Sequence, residues 1–234
     1  MTELSHFGSR SVWRVDTEKC ACILKSAGRW ESDAGLTTQL LLLEHLTTRN
    51  LHLAPELIRT RDGSHFARMG EERWFVTQYV TGESPAWIKE NFAKFGKTLA
   101  HSLRIDDELP HSVIHTDTSL HNAVLTRDGS LVLIDWENGG LGTTIIDIGH
   151  QLLLRFVNPA GELAIPEARA FYTAYFAVRP MAGYDARAIF DSGVMTALFF
   201  IGFGDAAVKW QRVTSAIRNR DIIMNYLVEW ARPV

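Results

Sequence analysis

Near the middle of the chain runs Val113-Ile114-His115-Thr116-Asp117-Thr118-Ser119-Leu120-His121-Asn122, and Asp135 follows thirteen residues after Asn122 in the segment Leu133-Ile134-Asp135-Trp136-Glu137. This H-x-D-x4-N segment, followed by an apolar strand ending in Asp, constrains the chain more than any other feature. A fold that uses it must present an Asp and an Asn from one loop, and a second carboxylate from a strand end. The ordered set is far more specific than a bare H-x-D. It is what phosphoryl transfer from a nucleotide requires, with one carboxylate to accept the proton of an attacking hydroxyl and an Asn and a second carboxylate to hold Mg2+. Asp117 is the candidate base, and Asn122 and Asp135 are the candidate metal ligands.

A length of 234 residues suits one large domain or two intimate lobes. The net charge of -3 argues against a nucleic-acid partner. Residues 1–80 hold 10 basic and 10 acidic side chains, and residues 81–234 hold 14 and 17, a faint hint of a cationic small molecule. No basic and then apolar leader opens the chain, and the longest apolar stretch, Val194 to Gly204, is too short for a bilayer, so a cytoplasmic protein without a membrane partner is expected. Cys20 and Cys22 are too close for a good disulfide and lack zinc spacing.

Residues 10–26 read as two strands about a polar turn at Asp16–Lys19, preceded by a short loop at Gly8-Ser9. Leu36, Leu40, Leu43 and Leu46 recur at helical spacing over 33–48. Leu57-Ile58-Arg59 and Trp74–Val80 read as strands around the turn Arg61-Asp62-Gly63-Ser64. The pattern breaks at Thr81-Gly82-Glu83-Ser84-Pro85, and a helix is expected from about Ala86 to Arg104. The motif loop, a hairpin turning at Arg127-Asp128-Gly129, and a mainly helical remainder follow. Strand-rich then helix-rich segments predict an α+β chain with lobes at 1–81 and 82–234.

With His115-Thr116-Asp117…Asn122, Ile134-Asp135-Trp136-Glu137 and Asp147-Ile148-Gly149, the chain resembles the aminoglycoside phosphotransferase family, the small-molecule branch of the protein-kinase-like fold. The resemblance implies a two-lobed fold, with an N-terminal antiparallel sheet plus helix and a mainly helical C-terminal lobe. It implies an ATP- or GTP-dependent, Mg2+-using kinase acting on a small-molecule hydroxyl, an antibiotic first and a metabolic alcohol or sugar second. Lys25 looks like the lysine that grips the nucleotide phosphates, Gly8-Ser9-Arg10-Ser11 like the loop over them, and Gln78-Tyr79-Val80 like the hinge that meets the purine. His115 and Asp147 look like braces of the catalytic loop. Thr116 stands where the family has Gly, and Gln39 stands where an acidic partner of Lys25 is usual. Gln39 is therefore expected to accept a hydrogen bond from Lys25 in place of that ion pair. The rival class is a non-catalytic pseudokinase acting as a binding module.

Glu137 and Asp205 are the candidate acceptor contacts. Glu137 is placed on the strand face of Asp135, and Asp205, flanked by apolar residues, is placed in the core or facing a cleft. Trp87 and Trp210 are expected in the core.

Overall fold

The computed structural model describes residues 1–7, 10–27, 32–48, 54–102, 112–180 and 185–232. The chain divides into two compact units. Met1–Glu83 and Val124–Asn138 form the first, and Ser84–Ala123 and Gly139–Val234 form the second.

The first unit is built on an antiparallel sheet of β1 (Thr2–Phe7), β2 (Arg10–Asp16), β3 (Ala21–Ser26), β4 (Leu57–Ile58), β5 (Ala67–Met69) and β6 (Glu72–Gln78). The order is β1-β2-β3-β6-β4, with β5 also paired to β6. Lys25 on β3 sits opposite Val12 of β2 and Phe75 of β6, so the sheet fixes its backbone on both sides. Helix α1 (Asp33–Thr48) buries Leu36, Leu40, Leu43 and Leu46, the stripe expected from their spacing. Its Glu44 forms a two-bonded ion pair with Arg59, at 2.8 and 2.6 Å. Its Asp33 pairs with Arg68 and Arg73.

Two details differ from expectation. The sequence did not signal β1, an edge strand. The chain reverses into β6 at Gly70-Glu71, between Met69 and its partner Glu72, not at the Arg61–Ser64 turn. The pentapeptide Thr-Arg-Asp-Gly-Ser occurs at 60–64 and again at 126–130, and both copies fold alike. Gly63 and Gly129 take φ of 84° and 83°. Thr60 and Thr126 donate their N–H to the carbonyls of Ser64 and Ser130, at 3.0 and 2.9 Å. In both, the Asp carboxylate accepts the Ser N–H at 3.2 Å. The second copy turns the hairpin of β9 (Ala123–Thr126) and β10 (Leu131–Leu133). Strand β7 (Gly82–Glu83) pairs with β9, and a Cβ on Gly82 would lie 2.3 Å from the Leu125 carbonyl oxygen.

The second unit joins a short pair, β8 (Ser112–Ile114) with β11 (Gly140–Gly142), to six helices. These are α2 (Lys89–Ser102), α3 (Ile145–Gln151), α4 (Ile165–Val178), α5 (Asp185–Phe199), α6 (Ala206–Arg218) and α7 (Arg220–Trp230). Their core is aromatic. Phe95, Phe156, Phe171, Tyr172, Tyr175 and Phe190 are almost wholly buried, and each contributes about 2–3 kcal/mol of transfer free energy. Glycine permits the closest approaches. A Cβ on Gly96 of α2 would meet the Phe171 carbonyl oxygen of α4 at 2.3 Å. Between α3 and α5, a Cβ on Gly149 would lie 2.8 Å from the Gly193 nitrogen.

Candidate active site

In the second unit, β8 runs into the loop His115–Ser119, and α3 starts just beyond β11. Asp147, in the first turn of α3, is fully buried, and its two oxygens accept the consecutive N–H groups of His115 and Thr116, each at 2.8 Å. Burial pushes the Asp147 pKa up, and the two N–H donors oppose that shift. This clamp holds Thr116 at φ 64°, a left-handed conformation that is costly for a β-branched residue and easy for glycine. Thr118 Oγ1 donates to the Asp147 carbonyl at 3.1 Å, and Gln151 Nε2 donates to Thr118 Oγ1 at 2.9 Å.

Asp117 lies between this clamp and Asn122. The Asn122 side-chain amide donates to the Asp117 carbonyl at 2.9 Å and to its carboxylate at 3.1 Å. With Nδ2 so engaged, the amide oxygen of Asn122 is the atom left to face a cation. Asn122 ends a 3-10 turn, Leu120–Asn122, capped by Ser119. The sequence motif is thus a loop whose first end is tied to Asp147 and whose second end is tied to Asp117.

In the first unit, Asp135 lies just past β10 with φ 67°. Glu137 is in a 3-10 turn, Trp136–Asn138, and is not on a strand face with Asp135 as the sequence suggested. Trp136 anchors that turn, buried and donating from Nε1 to the Leu133 carbonyl at 3.0 Å. Lys25 Nζ bonds Asp135 at 2.9 Å and also pairs with Glu137. Burial works against the Lys25 charge, but the two carboxylates outweigh it and raise its pKa. Glu137 is pushed up to about 7, chiefly by burial, with the negative charge of Asp135 adding to the shift and Lys25 opposing it. Two carboxylates share one ammonium here, so with both ionised the cluster carries one negative charge in excess. Glu137 Oε2 is buried and makes no hydrogen bond among the described residues.

Lys25 is thus ion-paired with Asp135 and Glu137, both downstream of the helix from which Gln39 was expected to bond it. Gln39 lies half-buried on α1 beside the leucine stripe. Ser11 lies in β2 and donates its N–H to the Ser26 hydroxyl oxygen at 2.7 Å, whereas Gly8 and Ser9 fall outside the described residues. Gln78 ends β6, with Tyr79 and Val80 just beyond it. The N–H groups of Gln78 and Tyr79 bond the carbonyls of Glu56 and Ala21.

Asp205 is not paired in the core. It is the exposed N-cap of α6 and accepts the N–H groups of Ala207 and Val208 at 2.9 and 3.1 Å. Trp87 and Trp210 are exposed, at 44% and 56%, not core. Arg155 also belongs to this region, outside every motif read from the sequence. It lies in a π-helical turn, Leu152–Phe156, closed by the Val157 N–H on the Leu152 carbonyl at 3.1 Å. The signal was available, as one arginine in the apolar run Leu152-Leu153-Leu154-Arg155-Phe156. Among the described residues no cluster of three His, Cys, Asp or Glu side chains is arranged for a metal, and no helix is long and apolar enough to cross a membrane.

A family model described as the phosphotransferase enzyme family matches residues 45–188, well over half of the chain. The chain belongs to that family. It is a small-molecule kinase with the two-lobed protein-kinase-like fold. Solved structures agree on the fold at low identity. An aminoglycoside phosphotransferase from Alicyclobacillus acidocaldarius subsp. acidocaldarius DSM 446 is similar at 15% identity and TM-score 0.71, over 99% of this chain and 92% of that one. A microcompartment-associated aminopropanol kinase matches at 14% and 0.67, over 97% and 92%. An amicoumacin kinase in complex with AMP-PNP, Ca2+ and Ami matches at 13% and 0.70, over 96% and 87%. No curated protein matches this phosphotransferase.

Proposed function

We propose that this phosphotransferase moves the γ-phosphoryl group of ATP or GTP to a hydroxyl of a small molecule, with Asp117 as base and Mg2+ bound through Asn122 and Asp135. The observation that carries the proposal is the Lys25–Asp135 ion pair at 2.9 Å, which joins the strand lysine to the strand-end carboxylate. The amicoumacin kinase bound to AMP-PNP supports a nucleotide donor.

The donor atoms suit a hard divalent cation. An amide oxygen and a carboxylate oxygen, completed by phosphate oxygens, are the usual Mg2+ set. The excess negative charge beside Lys25 and the buried orphan oxygen of Glu137 fit the same ion. Bound there, Mg2+ would neutralise the phosphate oxygens as charge shifts to the leaving group. Asp117 takes the proton of the acceptor hydroxyl. The hydroxyl oxygen forms its bond to the γ-phosphorus, the bond to the β-bridging oxygen breaks, and ADP or GDP leaves with that electron pair. Lys25 steadies the phosphates, with Gln39 on α1 as a supporting contact. Gly8, Ser9 and Ser11 cover the phosphates. Gln78, Tyr79 and Val80 meet the purine, and with two of the three N–H groups already bonded, Val80 is the natural donor. His115 and Asp147 hold the loop. Most of the acceleration is positioning and charge stabilisation.

For the acceptor, an antibiotic of the aminoglycoside type would need carboxylates to meet its ammonium groups. Of the two the sequence offered, Glu137 is held by Lys25 and Asp205 by a helix N-terminus. That favours a metabolic hydroxyl compound over a cationic drug. The similar structures named above include proteins for quite different acceptors, so the fold alone does not choose among them. ADP release with magnesium, across a panel of antibiotics and small alcohols, tests the proposal. A protein that binds nucleotide but transfers to none of them would be the pseudokinase.

A further inference from the structure

Arg155 stands beside the Asp117 loop with its charge poorly answered. Its guanidinium carbon lies 5.4 Å from the centre of the Trp87 ring, and that ring also packs on His121, at 5.2 Å, next to Asn122 in the loop. Trp87 is thus a shelf that carries Arg155 at the edge of the motif. The Arg155 side chain is half-buried. Burial lowers its pKa, and the charge of the Asp117 carboxylate opposes the shift. Its Nε is buried and makes no hydrogen bond among the described residues. The backbone that presents it is a π-helical turn, a geometry that costs stability and recurs at functional sites. Arg212 braces that turn by donating to the Leu154 carbonyl at 3.1 Å, and it adds a second, half-buried positive charge.

A planar guanidinium stacked on an indole keeps its edge free for a two-bonded contact with an oxyanion. We propose that the acceptor is an anionic alcohol, a hydroxyl compound with a carboxylate or phosphate ester that Arg155 holds while its hydroxyl meets Asp117. The proposal rests on the phosphotransferase reading and specifies its acceptor. It reverses the faint hint of a cationic partner in the acidic excess of residues 81–234, since among those acids Asp147 is consumed by backbone N–H groups and Asp205 by a helix cap.

The test uses matched probes of similar size: D-glycerate, glycerol 3-phosphate, glycerol, and the amine serinol. Each is titrated calorimetrically into the full chain with Mg2+ and AMP-PNP, and each is assayed for ADP release with ATP. At least one anion should bind more tightly than glycerol, and serinol should bind worst. The ranking of carboxylate against phosphate ester names the oxyanion. Arg155→Gln should weaken the anion about 10- to 100-fold through KM, leave kcat within a few-fold and leave glycerol unchanged. Arg155→Lys should recover part of the loss. If Arg155 only steadied Asp117, Arg155→Gln would lower kcat for every acceptor alike. That result, tighter binding of serinol, no binding of either anion at millimolar concentration, or full anion affinity in Arg155→Gln would overturn the proposal. Failure of AMP-PNP to bind the wild-type chain would instead strike at the kinase assignment.

Discussion

Replacing Asp147 by Asn removes one charge and almost no volume, so it isolates the clamp on the catalytic loop. The carboxylate accepts the His115 and Thr116 N–H groups at 2.8 Å with one oxygen each, in a site with no solvent exposure. An amide can accept only one of them and must point its own N–H2 at the other. A hydrogen bond to a charged group contributes about 1.5–3 kcal/mol, and a buried donor left unsatisfied costs about 1–3 kcal/mol more. Against this, the variant no longer buries a charge, the same burial that raises the Asp147 pKa. The net expectation is a loss of about 3 kcal/mol, or a fall in Tm of about 6–12 °C at this chain length. The two donors are the N–H groups of the left-handed Thr116 and of His115 before it, directly ahead of Asp117, so the base should shift as well and kcat should fall about 100-fold. Thermal unfolding and steady-state ADP release measure the two effects. A Tm within about 2 °C of wild type, with kcat unchanged within experimental scatter, would refute the clamp.

Asp135→Ala should weaken magnesium-dependent nucleotide binding and turnover together, and calorimetry with and without magnesium tests it, unchanged metal dependence counting against the ligand role. Glu137 binds its proton more tightly folded than unfolded between its ordinary 4.5 and about 7, so its contribution to stability declines as pH rises through that window and is level above it. Glu137→Gln should flatten the stability curve between pH 5 and 7, and denaturation at a series of pH values would show the same slope in wild type and variant if Glu137 stayed ionised throughout. Gly96→Ala improves helix propensity by about 1 kcal/mol, yet it sets a methyl 2.3 Å from the Phe171 carbonyl oxygen and should cost about 1–2 kcal/mol net, readable as a lower denaturant midpoint.

Local chemistry was legible where one segment decides its own shape. The leucines of α1 lie at the spacing that buries one face, and the two Thr-Arg-Asp-Gly-Ser turns close on their own side chains whatever surrounds them. Strand β1 carried no such signal, because it is held by backbone pairing with β2 and leaves Leu4 half exposed. Asp205 ahead of Ala206-Ala207-Val208 was a readable N-cap that the apolar run before it disguised. Trp87 looked like core by residue type. Its covering comes from a guanidinium and an imidazole distant in sequence, which no local pattern encodes. The same holds for the site. The motif named Asp117, Asn122 and Asp135, but the pairing of Glu137 with Lys25, 112 positions apart, depends on tertiary structure.

The central claim is phosphoryl transfer to an alcohol with Asp117 as the base. Phosphorus NMR of the reaction with ATP, magnesium and the best acceptor follows it directly in wild type and in Asp117→Asn. The account predicts a new phosphate monoester signal that grows in step with ADP in wild type, and a rate about 10²–10⁴-fold lower in a folded, nucleotide-binding Asp117→Asn. Equal rates in the two proteins, or ADP formed with inorganic phosphate and no ester, would contradict it.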